Sequence, residues 1–101
     1  MEVKITRENK KVTAELIGRM DTPASQEVGP QFEALKKDAG GTIVLDCQEL
    51  TYISSSGLRL FLTLRKEAVE KGGNVIIRHI RDDIRSVFRM TGFLNLFEIE
   101  E

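Results

Sequence analysis

The chain has 101 residues, 15 Lys and Arg against 16 Asp and Glu, and a formal net charge of -1 at pH 7. That length favours one domain spanning 1–101, and 41% hydrophobic with 31% charged residues is an ordinary folded composition, not a disordered one. The balanced charge argues against a polybasic nucleic-acid module; the single cysteine, Cys47, excludes an internal disulfide; and no apolar run approaches the ~20 residues that cross a bilayer. The N-terminus lacks the basic, apolar and small-residue order of a signal peptide, so a cytoplasmic location is expected.

Val3 and Ile5 alternate with Lys4 and Thr6 at period two, which predicts a first strand. After the polar turn Glu8-Asn9-Lys10, Val12, Ala14 and Leu16 alternate with Thr13, Glu15 and Ile17, predicting a second strand in an antiparallel hairpin. Gly18 to Pro23 then opens a helix, with Thr22 as N-cap and Pro23 at the first helical position, where no N–H is needed. Val28, Phe32 and Leu35 form its apolar stripe. Pro30 inside that segment predicts a kink, or a regular helix that starts only near residue 30. Ala39-Gly40-Gly41 ends it.

Thr42 to Leu45 predicts a short buried strand. Leu50-Thr51-Tyr52-Ile53 leads into Ser54-Ser55-Ser56-Gly57, and apolar residues from Leu58 to Val69 then recur at helical spacing up to Gly72-Gly73. Val75-Ile76-Ile77 lies in a fourth strand, Ile84, Val87 and Phe88 mark a third helix ending at Thr91-Gly92, and Leu96 to Ile99 is a weak last strand. The order β-β-α-β-α-β-α-β predicts an α/β fold, a mixed sheet of four to five strands with helical crossovers.

The serine turn carries the most chemistry. Ser54 or Ser55 can cap the following helix, whose N-terminus favours negative charge. A phosphate on Ser56 would gain from those donors and bring roughly -1.5 to -2 charge to any surface covering the turn. The simpler reading is three small polar residues capping a helix, with Gly57 allowing close packing. Asp21 and Asp46 each follow a strand; they either accept turn N–H groups or approach a serine hydroxyl to help hold Mg²⁺. A serine hydrolase would need a base near Ser56, and His79 is the lone histidine; the Gly-x-Ser-x-Gly elbow is absent. Neither phosphate-binding glycine motif occurs, which argues against nucleotide binding by this chain. Arg81, Arg85 and Arg89 share one helix face at four-residue spacing, with Arg78 just before it; this basic stripe is read as a solvated helix face, or as a contact for an acidic partner or a weak one for nucleic acid. The phenylalanines and Tyr52 are assigned mostly to the core, and Cys47 to packing.

Asp46 through Arg59, read with Gly18-Arg19-Met20-Asp21-Thr22, the Gly72-Gly73-Asn74 turn and Met90-Thr91-Gly92-Phe93, resembles the STAS domain of bacterial anti-sigma factor antagonists across nearly the whole chain. The resemblance implies a STAS-like fold with helices mainly on one face of the sheet. It implies a regulatory binding protein, not an enzyme: it would bind an anti-sigma factor that is also a GHKL-type serine kinase, and so release a sigma factor. Phosphorylation of Ser56, the residue before Gly57, would free the antagonist, and a phosphoserine phosphatase would reset it. The partner surface so implied comprises Asp21, Thr22, Ser54, Ser55, Ser56, Gly57 and Arg59, with Asp46 as a supporting carboxylate. The chain itself would hold no cofactor or metal, since the kinase carries ATP and Mg²⁺. It would be a monomer when free, with no nucleic-acid contact and no membrane insertion. Where the family often has aspartate two residues before the acceptor, this chain has Ser54. Two other readings stand beside this one: a phosphorylation-independent STAS interaction module in a signalling, transport or lipid-trafficking complex, and a small serine hydrolase.

Overall fold

A computed structural model describes residues 1–100. Its elements are β1 (Glu2–Glu8), β2 (Lys11–Met20), α1 (Thr22–Leu35), β3 (Thr42–Asp46), β4 (Leu50–Ile53), α2 (Ser55–Lys71), β5 (Asn74–Arg78), α3 (Asp82–Met90) and β6 (Glu98–Glu100), with short 3₁₀ turns at Lys36–Asp38 and Leu94–Leu96. The sheet order is β1-β2-β3-β5-β6, and β4 also pairs with β2. Among the described residues only the β1–β2 hairpin is antiparallel, and every other pairing is parallel. The sheet therefore has six strands rather than four or five.

The extra strand is β4. Its two middle residues, Thr51 and Tyr52, are exposed, so it lacks the alternation that marks a strand in sequence. Backbone pairing defines it instead. β3 pairs with residues 11–15 of β2, whereas β4 pairs with residues 18–20, with a register shift at Gly18. Gly18 sits at φ +113°, a conformation that favours glycine, and the Gly18 N–H donates to the Glu49 carbonyl at 2.9 Å.

Alternation along the longer strands divides the two faces of the sheet. Val12, Ala14 and Leu16 of β2, Ile43 and Leu45 of β3, and Val75 and Ile77 of β5 enter one core with residues from all three helices. Phe61 of α2 lies at its centre, with ring centroids 5.9 Å from Phe32, 5.8 Å from Phe88 and 6.3 Å from Phe97. The opposite face is largely polar. Cross-strand register sets Lys4, Glu15, Asp46, Arg78 and Glu100 in one row across it, and the Arg78 Nε donates to Glu100 Oε1 at 2.8 Å.

Two local expectations are corrected. The N-cap of α1 is Asp21, not Thr22: Asp21 has extended backbone, and its Oδ1 accepts the Ala24 N–H at 2.9 Å. Thr22 is the first helical residue and is exposed. The helix does not wait for Pro30 to begin: α1 runs from Thr22 to Leu35 with Pro30 inside it. Pro30 forfeits one helical hydrogen bond, but Val28, Phe32 and Leu35 are buried on either side of it. Packing of that stripe outweighs a proline cost of about 3 kcal/mol.

Candidate functional site

The parallel β2–β4 pair brings two strand-to-helix junctions side by side. Met20 and Ile53 are cross-strand partners, and the next N–H along β4, that of Ser54, donates to the Met20 carbonyl at 2.8 Å. From these neighbouring strand ends rise α1, capped by Asp21, and α2, capped by Ser54.

A chain of hydroxyls ties the junctions together. Ser25 Oγ donates to the Asp21 carbonyl at 2.8 Å, and Ser25 Oγ lies 3.4 Å from Ser54 Oγ. Because the Ser25 proton is committed to that carbonyl, Ser54 is the donor between the two hydroxyls. Ser54 Oγ also accepts the Gly57 N–H at 3.2 Å. Both Ser25 and Ser54 are buried. Ser54 therefore serves the interior: its hydroxyl is engaged between α1 and α2.

Gly57 completes the seat. A Cβ at this position would come within 2.9 Å of Ile53 Cγ1 and 3.1 Å of the Met20 side chain. The first turn of α2 thus lies directly on the strand ends. Ser55 is exposed and Ser56 is half-buried. No hydrogen bond within the described residues engages the Ser56 hydroxyl. Of the three serines, Ser54 is used structurally while Ser56 keeps a free hydroxyl at a helix start.

From Ser55 an open groove of about 250 Å³ runs between α2 and the end of α3, lined by Ser55, Leu58, Arg59, Leu62, Thr91 and Phe93. Arg59 is exposed. On the neighbouring strand ends, the Arg19 guanidinium sits 4.4 Å from the centroid of the Tyr52 ring. Tyr52 is 41% exposed, so it is not a core aromatic. Neither Ser25 nor the Arg19–Tyr52 pair was a sequence candidate. A cross-strand cation–aromatic pair becomes visible only once β4 is known to lie beside β2.

Asp46 belongs to another cluster. Its Oδ1 accepts the Gln48 N–H at 3.1 Å and lies 3.1 Å from His79 Nδ1. His79 adopts φ +56° just after β5, and Arg81 donates from its Nη1 to the Gln48 carbonyl at 3.3 Å. These contacts hold the turn between β3 and β4. No hydrogen bond joins His79 to Ser56, so the pairing a serine hydrolase needs is not made. Asp21 and Asp46 each accept a backbone N–H, the plainer of their two readings. Among the described residues no three His, Cys, Asp or Glu side chains gather as metal ligands. The basic stripe is divided: Arg78 pairs with Glu100 and Arg81 with a backbone carbonyl, while Arg89 is exposed. Burial, reinforced by the nearby Asp46 charge, pushes the Cys47 thiol up to about 12. That disfavours the reactive thiolate and fits a packing role.

The STAS domain family model matches residues 2–101. The chain belongs to the STAS domain family. Its relatives include a putative anti-sigma factor antagonist, BtrV, of Bordetella bronchiseptica, 29% identical over 84 residues that cover 83% of this chain and 72% of the relative. The anti-sigma-B factor antagonist of Staphylococcus aureus is 22% identical across 100% of this chain and 94% of its own. Among solved structures, the anti-sigma factor antagonist SpoIIAA in its unphosphorylated form superposes with a TM-score of 0.76 at 19% identity, covering 99% of this chain and 88% of that one. Its phosphorylated form gives 0.75 at 20% identity, covering 99% and 92%. The STAS fold, six mixed strands and three helices, is thus shared with these structures. No helix among the described residues is long and apolar enough to cross a membrane.

Proposed function

We propose that this STAS domain is an anti-sigma factor antagonist that binds an anti-sigma factor serine kinase of the GHKL type while unmodified, and is released when Ser56 is phosphorylated. The observation that carries this reading is the division of labour at the serine turn. Ser54 is buried and committed to the cap, whereas the Ser56 hydroxyl, two residues on, has no partner within the described residues. The relatives named as antagonists, and the phosphorylated and unphosphorylated structures of SpoIIAA, support it.

In the transfer, Ser56 Oγ forms a bond to the γ-phosphorus of ATP held with Mg²⁺ by the kinase. The bond from that phosphorus to the ADP oxygen breaks, and the hydroxyl proton passes to a base on the kinase. This chain supplies the hydroxyl and a rigid seat for it. The product carries roughly -1.5 to -2 charge in the docking patch, where desolvated unpaired charge is costly. Each 1.4 kcal/mol of penalty weakens binding about tenfold, so a modest mismatch suffices to switch. A phosphoserine phosphatase restores the binding form.

The test uses the unmodified chain and Ser56→Asp as baits in the cell of origin. The expected result is an ATP-binding partner retained by the first and lost by the second. Mass spectrometry after incubation with that partner and ATP should place phosphate on Ser56 and find none in Ser56→Ala. Modification of another residue defeats the assignment. Equal retention by both baits favours a STAS module whose binding does not depend on phosphorylation.

A further inference from the structure

We infer that Arg59 is the built-in counter-ion of the Ser56 phosphate: unmodified, its guanidinium is open to a partner's carboxylate, and phosphorylation draws it back onto this chain's own helix. The inference rests on the reading of Ser56 given above and adds a second half to the switch.

The first observation is what surrounds Arg59 on α2. Its neighbours four and three residues before are Ser55 and Ser56, and three and four residues after are Leu62 and Thr63. These are the positions a helical side chain faces, and none is acidic. The Thr63 hydroxyl is occupied, donating at 2.9 Å to the Arg59 backbone carbonyl. Two other cations of this helix do have partners: Lys71 with Glu67 at 3.3 Å, and Arg65 with the Leu96 carbonyl. Arg59 is exposed and has no hydrogen bond or ion pair from its side chain among the described residues.

The second observation is direction. Side chains on a helix lean toward its N-terminus and lie over the preceding turn. For Arg59 that turn is Ser55-Ser56, and Arg59 shares the wall of one groove with Ser55. A dianionic phosphate on Ser56 would stand one turn below an uncommitted guanidinium, whose planar fork suits phosphate oxygens. Arg19, the nearby cation on β2, is stacked on Tyr52 instead.

Two changes then accompany one transfer. The patch acquires a negative group, and it loses the free cation that a partner's carboxylate would contact. Lysine at this position would keep the charge but lose the two-pronged geometry.

The experiment places phosphoserine at position 56 of the full chain by genetic encoding, so no kinase is required. The ³¹P resonance is titrated against pH in the parent, Arg59→Gln and Arg59→Lys, with amide spectra confirming that each is folded. The second phosphate pKa in the parent should lie about half a unit below that in Arg59→Gln, with Arg59→Lys between them. The difference should shrink in 1 M salt, where charges are screened beyond about 3 Å. Coincident titrations of the parent and Arg59→Gln overturn the inference. This outcome is separate from the mapping of the kinase product: phosphate found elsewhere would defeat the Ser56 reading whatever the titration shows.

Discussion

The two helix starts that rise from the ends of β2 and β4 solve the same problem with different chemistry. At the first, a half-exposed carboxylate, Asp21, accepts the Ala24 N–H. At the second, a buried hydroxyl, Ser54, accepts the Gly57 N–H and reaches across to Ser25. A carboxylate only accepts when ionised and is costly to bury, whereas a hydroxyl both donates and accepts. The second junction can therefore be pressed against the sheet. What the contrast teaches is that Ser54, two residues before Ser56, serves the fold here. It makes the seat of Ser56 neutral and buried beneath, with the uncommitted hydroxyl above.

Substitutions at the two junctions sharpen this contrast. The largest effect is expected from Gly57→Val, which puts a branched side chain where even a Cβ meets Ile53 and Met20 at 2.9 and 3.1 Å. It should lower stability by about 3 kcal/mol through overpacking, read as a lower urea midpoint with little change in slope. A loss under about 1 kcal/mol would mean that close packing does not seat α2. Ser54→Ala comes next, at about 2 kcal/mol, because it removes a cap and leaves the Gly57 N–H buried without an acceptor. Asp21→Ala should cost about 1 kcal/mol, since water can reach this more open cap. Equal losses at positions 54 and 21 would break the distinction between a buried and a more open junction. Ser56→Ala should stay within about 0.5 kcal/mol of the parent in the same denaturation series while abolishing phosphate incorporation. A large destabilisation by Ser56→Ala would show that its hydroxyl is structural after all.

Much of the fold was legible because its strands and helices carry strong periodic signals. β2 alternates cleanly, and α2 runs from a serine cap to Gly72-Gly73 at its end, with Gly72 at φ +80°. The misses have local causes. Asp21-Thr22-Pro23 offers two competent caps in succession, and proline tolerates either of the first two helical positions, so side-chain chemistry alone does not choose between them. β4 has two exposed central residues and owes its existence to a strand far away in sequence. The late helix start expected at Pro30 assumed that local hydrogen bonding decides, whereas burial of Val28 and Phe32 on either side of it holds the earlier turn helical. At the site, a serine cap for α2 at Ser54 or Ser55 and close packing at Gly57 were readable from the sequence, and the structure selects Ser54. Ser25 was not readable there, because nothing in a helix sequence says that its hydroxyl will meet another cap 29 positions later.

The bond from the Ser54 N–H to the Met20 carbonyl has a consequence for timing. It fastens the serine turn to a sheet strand rather than to a loose connection. Under the proposed function, a group added to Ser56 meets a turn already tied to the sheet, so the expected change is one of charge rather than of fold. On that proposal, the tempo of the signal is then set by the enzymes that write and erase the mark.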